Sequence, residues 1–437
     1  MNDSETPSAE DVRDAWALLS RPERVEGFRL LPRPDNEDFF GSLDAHHQAE
    51  LIVALPAAER RSWMRLLPPD DGADVVQAAD DDDRAMLLGL LDGPTRKEVT
   101  ALMAYAEDDA GGLMSPRFAR LRPNMTVDEA ISYLRKQTRD RIEMMNYVYV
   151  LDHAQRLLGV VSFRDLFAAH AGSMVAEIMQ AEVITVHEQM DQEAVSRLFR
   201  QHALVAMPVV DADGRMRGVV TVDDIVEVVH EEATEDIHKY GGMAAMEKPY
   251  LQIAMLGMVK KRAGWLSALF VGEMFTATAM TYFGDELSQV VVLGYFIPLI
   301  ISSGGNSGSQ ASTLVIRAMA LGEVRPFDFW RVVRRELVAG LALGVLLGSI
   351  GLANILVRDR LFQVFQGHGQ LLAATVAVSL VGVVVFGTLA GSTLPFLLRR
   401  LGFDPASASG PFVATLVDVS GLVIYFSVAR FMLATMF

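Results

Sequence analysis

Long apolar stretches occur only in the C-terminal part of the chain. A stretch of about 20 mostly apolar residues can cross a membrane, because an α-helix rises about 1.5 Å per residue and the hydrocarbon layer is about 30 Å thick. Four segments reach this length and are predicted to be membrane-spanning helices: 264–283, 337–357, 371–397 and 411–437.

A fifth apolar segment, at 290–301, is too short to cross a membrane, since it would form only about 18 Å of helix. It is followed at 302–310 by SSGGNSGSQ, whose composition is typical of a flexible linker. A helix that continued through these polar residues to Val315 would be about 39 Å long, which is enough to cross with some tilt. We therefore predict a fifth span at 290–316, with the polar stretch inside the membrane.

The distribution of basic residues favours five spans over four, because short cytoplasmic loops carry an excess of Lys and Arg. With five spans and a cytoplasmic N-terminus, the outside loops contain only Arg358 and Arg360. The first 30 residues lack the apolar run of a secretory signal. We therefore expect a multi-pass protein of the cell (inner) membrane, in contact with lipid, with its N-terminus in the cytoplasm and its C-terminus outside. The basic residues on the cytoplasmic side are Lys260, Lys261, Arg262, Arg317, Arg325, Arg331, Arg334, Arg335, Arg399 and Arg400.

The polar part of the chain shows two different patterns. The N-terminal region has short helical segments separated by Leu-Pro breaks, which predicts a stack of short helices. A repeat then follows, and each copy has an amphipathic helix, a strand, a turn (DHAQ or DADG), a second strand and another helix. The predicted fold class is a multidomain membrane protein with an all-α N-terminal domain, an α+β pair and a five-helix transmembrane domain. The predicted regions are 1–112, 113–172, 173–229, an acidic connecting helix at 230–262, and 263–437.

Charge separates the two halves of the chain. Residues 1–250 carry 46 acidic and 26 basic side chains, whereas residues 251–437 carry 9 and 13. The strongly acidic half argues against nucleic-acid binding and favours metal cations or basic partners. The chain contains no cysteine, and its nine histidines are scattered. Because no catalytic constellation of His, Ser or Cys is visible, we do not expect an enzyme.

One helical face after the second repeat is strongly acidic. Asp224, Glu227, Glu231 and Glu235 follow one another at helical spacing, with Glu232 and Asp236 beside them. Like charges four residues apart destabilise an isolated helix by about 0.2–0.5 kcal/mol per pair. The pattern suits either a solvated acidic helix or a cation sensor, and its position just before the first predicted span favours the sensor.

Two carboxylates, Glu273 and Asp418, lie well inside predicted spans, where charged groups cost about 2.5–3.5 kcal/mol each and usually serve a function. Ala414 and Thr415 share the helical face of Asp418 and leave room for a hydrated ligand. Glu273 could either line a pore or form a hydrogen bond within the helix bundle.

The third predicted span carries glycine at every fourth position: Gly340, Gly344 and Gly348. Small residues at this spacing allow a second helix to approach closely, so we predict that they serve helix packing.

The repeat resembles a tandem pair of CBS domains. In that family, the turn after the last strand of each copy can hold the ribose of an adenine nucleotide such as ATP. The matching residues are Ser162 and Asp165 in the first copy and Thr221 and Asp224 in the second. Because this motif is short, nucleotide binding stays open at this point.

Three membrane motifs resemble the MgtE family of magnesium channels: IPLIISSGGNSGSQASTLVIRAMALGE, RRELVAGLALG and FDPASASGPFVATLVDVSGLVIYF. The resemblance implies a homodimer whose pore is lined by the second and fifth spans. Asp418, the Ala414 carbonyl group and Asn306 match pore positions of the family. The resemblance also implies that cytosolic Mg²⁺ closes the pore by binding to acidic residues, which here are Asp191, Glu193, Asp224, Glu227, Glu232, Glu235 and Asp236. Gly410 departs from relatives that carry an amide there.

The residues themselves agree with magnesium chemistry. Mg²⁺ gives up its water reluctantly and is usually held through water by one or two carboxylates. Asp418 can supply the charge, and Asn306, Ser309, Gln310 and Thr415 can hydrogen-bond the water shell. We expect a magnesium channel that is closed by cytosolic Mg²⁺. The alternatives are a transporter of another divalent cation, such as Co²⁺ or Mn²⁺, and a nucleotide-responsive membrane receptor.

Overall fold

The computed structural model describes residues 8–16, 18–137, 146–246, 250, 253–284, 290–362, 365 and 369–432. Within these ranges the chain forms two compact units, Met1–Glu232 and Ala233–Phe437. The fold class is as predicted: helices come first, an α+β pair follows, and long helices form the C-terminal unit.

Short helices make up the N-terminal region. They begin at capping residues such as Ser8, Ser20 and Asp92 and end near Leu-Pro or Leu-Asp breaks, as the sequence pattern predicts. The helices are Ala9–Ala15, Arg21–Leu30, Asp35–Gly41, Ala45–Ala54, Ala57–Met64, Pro69–Ala78, Asp81–Leu90, Gly93–Leu102 and Ala110–Leu113. Aromatic side chains fill the first part of this core, with Phe28 and Trp63 at a ring separation of 4.9 Å.

The two repeat copies form two sheets with the same topology. In each sheet the first strand is parallel to the second, and the second is antiparallel to the third. The strands are Arg120–Leu121, Tyr147–Leu151 and Leu157–Ser162 in the first copy, and Val186–His187, Ala206–Val210 and Met216–Thr221 in the second. The helices of the pair are Val127–Gln137, Phe163–Ala168, Val175–Ile178 and Gln192–His202. The equal registers confirm the internal repeat.

Two apolar clusters hold this pair together and attach it to the N-terminal helices. One cluster lies between the two sheets and contains Tyr149, Leu151, Met216 and Val219. The core of the second copy is continuous with the core of the N-terminal helices, which are therefore packed against the second copy rather than the first.

The acidic helix runs from Val222 to Tyr240. It begins directly after the last strand of the second copy, earlier than the predicted connecting region. Ile225 and Val228 are buried, whereas Asp223, Glu227 and Glu231 are exposed and the other acidic side chains of the helix are half-buried.

Five helices in the C-terminal unit are numbered here in chain order. C-terminal helices 1 to 5 are Met255–Tyr282, Ile297–Ala320, Phe329–Phe362, Gly369–Arg400 and Gly410–Met432. Short 3₁₀ turns at Val291–Phe296, Pro326–Asp328 and Pro405–Ser407 precede helices 2, 3 and 5.

Among the described residues, four helices are long and apolar enough to cross a membrane, whereas we predicted five. The segment with the linker-like composition is one of the four, as part of Val291–Ala320. The one that falls short is C-terminal helix 1. Its length is sufficient, but Glu273 and several threonines lower its apolar character.

Glycines bring the C-terminal helices into close contact. A methyl group placed on Gly344 would lie 2.9 Å from the Val381 Cα atom, and one on Gly348 would lie 2.9 Å from the Ala377 carbonyl oxygen. Helices 3 and 4 can therefore approach only because these positions lack a side chain. The prediction that this glycine row serves packing is confirmed.

Candidate functional site

C-terminal helices 2 and 5 meet at the predicted pore residues. A methyl group placed on Gly305 would lie 3.6 Å from the Ala414 Cα atom and 4.0 Å from Asp418 Oδ1. Asp418 itself is partly exposed. The glycine therefore leaves space beside the carboxylate, where a larger side chain would cover it.

The linker-like stretch is helical and has two different faces. Gly304, Gly305, Ser307 and Gly308 are buried, and a methyl group on Gly308 would lie 2.9 Å from the carbonyl oxygen of residue 387. The opposite face is polar and uncovered. We call this face the polar row; its members are Ser302, Asn306, Gln310 and Thr313, and all four are exposed.

Asn306 lies in the middle of the polar row. Its side-chain amide donates a hydrogen bond to Ser302 Oγ at 3.4 Å and is not packed into a neighbouring helix. An exposed amide in this position can reach water or the hydration shell of an ion.

C-terminal helix 1 contacts helix 5 on the other side of Asp418. A methyl group placed on Gly272 would lie 3.0 Å from Thr415 Cγ2. Next to this contact, the Glu273 carboxyl group lies within hydrogen-bonding reach of the Asp418 carboxyl group. The two carboxylates that the sequence places inside spans therefore meet. Nothing in the sequence pattern indicated this, because they are far apart along the chain.

The C-terminal end of the acidic helix contacts the ends of helices in its own unit. Lys239 Nζ lies 2.7 Å from Asp404 Oδ2 and 2.6 Å from Glu235 Oε1. Burial opposes the charge of Lys239, but its bonds to Asp404 and Glu235 outweigh this effect and raise the pKa of the ammonium group. The Tyr240 hydroxyl group donates to the Ser309 carbonyl oxygen at 2.9 Å.

The N-terminal half of the acidic helix faces acidic residues that sequence reasoning missed. Desolvation, together with the charges of Asp224 and Glu227, raises the pKa of Asp71 to about 6. The same effects, with the charge of Asp71 added, raise the pKa of Asp74 to about 8. Both side chains keep contact with solvent, so an ion can reach them.

Desolvation also raises the pKa of Glu231, which the charges of Glu227, Glu232 and Glu107 raise further. We call this set of carboxylates the acidic cluster. Its members are Asp71, Asp74, Glu107, Asp224, Glu227 and Glu231. A possible sequence signal for Asp71 and Asp74 was their spacing on one face of a helix, but that spacing is common on solvated helices.

The other predicted sensor acids have local partners. Asp191 Oδ1 accepts hydrogen bonds from the backbone N–H groups of Glu193 and Ala194 and so caps a helix. Glu193 forms an ion pair of 2.7 Å with Arg197. Glu232 accepts a hydrogen bond of 2.7 Å from the side-chain amide of Gln192. Glu235 forms the ion pair with Lys239 described above. Asp236 also has a contact within the structure.

No group of three or more His, Asp or Glu side chains in the described ranges is placed to ligate a metal ion directly.

The residues predicted to hold a nucleotide cap helices. Ser162 Oγ accepts from the Asp165 backbone N–H at 3.0 Å and donates to its carboxylate at 2.6 Å. Thr221 Oγ1 donates to Asp224 Oδ2 at 2.8 Å in the second copy. Thr221 is one of the residues that line a small cleft between the two sheets. The others are Ser115, Arg117, Phe118, Tyr147, Tyr149, Ala206 and Val219. Ser162 and Asp165 do not line it.

Three family models match the chain. The model described as MgtE, divalent cation transporter, matches residues 297–428. The MgtE intracellular N domain matches residues 8–108, and the CBS domain matches 110–172 and 175–231. These ranges cover the C-terminal helices 2 to 5, the N-terminal helices and the two repeat copies.

Two relatives match most of the chain. The magnesium transporter MgtE of Thermus thermophilus is 40% identical over 427 residues, which is 97% of this chain and 93% of the relative. The magnesium transporter MgtE of Enterococcus faecalis is 34% identical over 332 residues, 76% of this chain and 71% of the relative.

Two solved structures resemble the soluble part. The cytosolic domain of the Mg²⁺ channel MgtE in complex with ATP is 40% identical and covers 51% of this chain and 91% of that one, with a TM-score of 0.47. The soluble part of a magnesium transporter is 28% identical and covers 52% and 93%, with a TM-score of 0.41.

Proposed function

Since the chain belongs to the MgtE family of magnesium transporters, we propose that its C-terminal helices conduct Mg²⁺ into the cell and that the acidic helix closes this pathway when cytosolic Mg²⁺ rises. The main observation that supports this pathway is the position of Asp418. Its carboxylate lies beside Gly305, where no side chain covers it, and next to the polar row. A carboxylate and several neutral polar groups would hold a hydrated ion without trapping it.

The energetics need no coupled reaction. A doubly charged ion that enters a cell at about −100 mV gains roughly 4.6 kcal/mol, twice the value for a single charge. A passive channel can therefore concentrate Mg²⁺ in the cytoplasm and requires a way to close.

The uncovered polar row supports a homodimer. Exposed polar groups in hydrocarbon are costly unless protein or water covers them. A second copy related by a twofold axis would place its own Asn306 and Asp418 opposite the first and would enclose a water-filled path. Two copies of Asp418 would then supply both carboxylates that a hydrated Mg²⁺ ion favours.

Repulsion within the acidic cluster supports the closing mechanism. Asp71 and Asp74 lie close to the charges of Asp224 and Glu227, and Glu231 lies close to those of Glu227 and Glu107. Divalent cations would neutralise this repulsion and hold the acidic helix in its present position. The same continuous helix ends at Tyr240, which bonds to C-terminal helix 2, so its position can bear on the pathway.

Loop charge supports the orientation. Arg-rich loops at 317–335 and 399–400 belong in the cytoplasm by the positive-inside rule. With a cytoplasmic N-terminus, C-terminal helix 1 would have to cross as well, and its 28 residues reach about 42 Å. The C-terminus would then lie outside.

The test is Mg²⁺ flux into liposomes that contain the purified protein, with internal Mg²⁺ varied. We expect uptake at low internal Mg²⁺ and arrest at millimolar internal Mg²⁺. Absence of uptake at any internal concentration would refute the channel and would favour a receptor. Competition by Co²⁺ and Mn²⁺ in the same assay distinguishes magnesium from other divalent cations, since oxygen ligands suit all three.

We propose nucleotide binding as a second function of the soluble unit. The cleft between the two sheets is lined by aromatic side chains (Phe118, Tyr147, Tyr149) that suit a base and by Arg117, which would have to exchange its 2.8 Å ion pair with Glu98 for a phosphate group. Binding of ATP to the full-length protein in detergent, measured by calorimetry with Arg117→Ala as a comparison, tests it. Equal heats for the two proteins would contradict this location.

A further inference from the structure

Glu273 of C-terminal helix 1 and Asp418 of helix 5 lie together. The Glu273 carboxyl group lies within hydrogen-bonding reach of Asp418. Helix packing fixes this contact. Gly272 lets helix 1 approach helix 5 so closely that a methyl group placed on it would lie only 3.0 Å from Thr415 Cγ2.

Among the described residues, no positive side chain pairs with these carboxylates. The ion pairs in the described part of the chain include neither Glu273 nor Asp418. Two carboxylates in contact at membrane depth are costly, since a single one already costs about 2.5–3.5 kcal/mol on insertion scales. A cation that passes between them offsets this cost.

A buried hydroxyl group on the same helix face also lacks a partner. Gly272 and Thr276 are four residues apart, so both point toward helix 5. Thr276 is only 9% exposed and is the one buried residue among those described in helix 1. Its hydroxyl group has no hydrogen-bond partner within the described ranges. Thr278 and Thr281, by contrast, donate to backbone carbonyl oxygens four residues earlier, at 3.3 and 2.9 Å.

Thr276 is therefore a polar group that the helix itself leaves unsatisfied. A buried hydroxyl without a partner costs free energy, and water or a hydrated ligand is the usual partner of such a group. Its position one turn beyond Glu273 indicates that the polar environment continues along helix 1.

We propose that Glu273 is a second carboxylate of the ion pathway and attracts the same hydrated divalent cation as Asp418. This inference rests on the proposed channel function. It assigns C-terminal helix 1 a part in ion binding, in addition to helices 2 and 5. Each protomer would then present two carboxylates to the ion, and the proposed homodimer would present four.

The test compares Glu273→Gln with the wild type in liposome flux assays at low internal Mg²⁺. Gln keeps the size and the hydrogen-bonding capacity of Glu but removes the charge. We expect the half-saturating external Mg²⁺ concentration to rise roughly three- to tenfold, because one of the two charges that attract the ion is lost. Glu273→Asp should restore a value near that of the wild type.

Met274→Gln is the matched control, since Met274 is the exposed neighbour of Glu273 on the same helix. It should leave the half-saturating concentration unchanged. An unchanged value for Glu273→Gln, or an equal rise for both variants, would overturn the inference. Failure of the wild type to carry Mg²⁺ would instead overturn the channel function itself, so the two failures are distinguishable.

Discussion

The unit Met1–Glu232 and the unit Ala233–Phe437 differ in how many carboxylates they hold and in what surrounds them. The first has many, and its acidic cluster is crowded but open to solvent. In the second, the carboxylates of Glu273 and Asp418 contact each other, beside glycines and neutral polar groups. Dense, accessible carboxylates respond to the cation concentration around them. Under the proposed function, the paired carboxylates of the second unit would attract a cation and release it again.

The comparison breaks most clearly at Asp418. Asp418→Asn should abolish Mg²⁺ uptake, because the substitution removes the negative charge beside Gly305 and keeps the shape of the side chain. The measurement is flux into liposomes, with cross-linking to verify that the variant assembles as the wild type does. Val423→Ala, an exposed position on the same helix, should transport normally. Normal uptake by Asp418→Asn would show that the pathway lies elsewhere.

The second prediction concerns the acidic cluster. A combined Asp71→Asn, Asp74→Asn, Glu227→Gln and Glu231→Gln variant should need about tenfold more internal Mg²⁺ to stop flux, because the sites that attract the cation are neutralised.

Its control removes the same number of charges from the solvated start of the helix Asp81–Leu90: Asp80, Asp81, Asp82 and Asp83 are all changed to Asn. Flux through this control should stop at the wild-type Mg²⁺ concentration. If both variants shift equally, overall charge and not the cluster sets the response.

The third prediction concerns pH and is smaller. The pKa values of Asp71 and Asp74 are raised to about 6 and about 8, so the folded, ion-free protein binds protons more tightly than the unfolded chain, whose Asp pKa is near 3.9. Stability therefore falls as the pH rises through this range. The Tm of the full-length protein in detergent with a chelator should decrease by a few degrees between pH 5 and pH 8.5.

Excess Mg²⁺ should remove most of this pH dependence, since the ion replaces the proton at the same carboxylates. The Asp71→Asn, Asp74→Asn double variant should show a flatter profile without Mg²⁺. A profile equal to that of the wild type would mean that other groups cause the pH dependence.

The smallest effect is expected in the first repeat copy. Ser162→Ala should lower the free energy of unfolding by about 1 kcal/mol, because it removes the cap of the helix Phe163–Ala168. Chemical denaturation of the full-length protein measures this change. ATP binding should not change, since Ser162 does not line the cleft between the sheets. A loss of ATP binding with unchanged stability would return Ser162 to the role that the sequence motif suggested.

Much of the fold was predictable from local pattern. The repeat, the acidic helix and the helical nature of residues 302–310 follow from spacing and length, which depend on neighbours along the chain. The predicted count of five spans was wrong by the criterion of length and apolarity, since four of the described helices meet it and C-terminal helix 1 does not. The boundaries of the five predicted regions remain a prediction.

The site was predictable only in part. Asp418, Asn306 and the acidic helix were identified, whereas Asp71 and Asp74 were missed. Their importance depends on the face of the second repeat copy to which the N-terminal helices attach. Asp191 and Glu193 have local capping and pairing contacts that a motif comparison does not reveal.

The sequence by itself determined which segments are helical or apolar and where the carboxylates lie along the chain, because these properties depend on residue type and spacing. Only the tertiary structure decided which carboxylates meet. Glu273 reaches Asp418, and Asp74 comes close to Glu227, through the packing of helices distant in sequence. Such packing depends on where small residues allow backbones to approach, as at Gly272 and Gly305, and a single helix pattern does not contain that information.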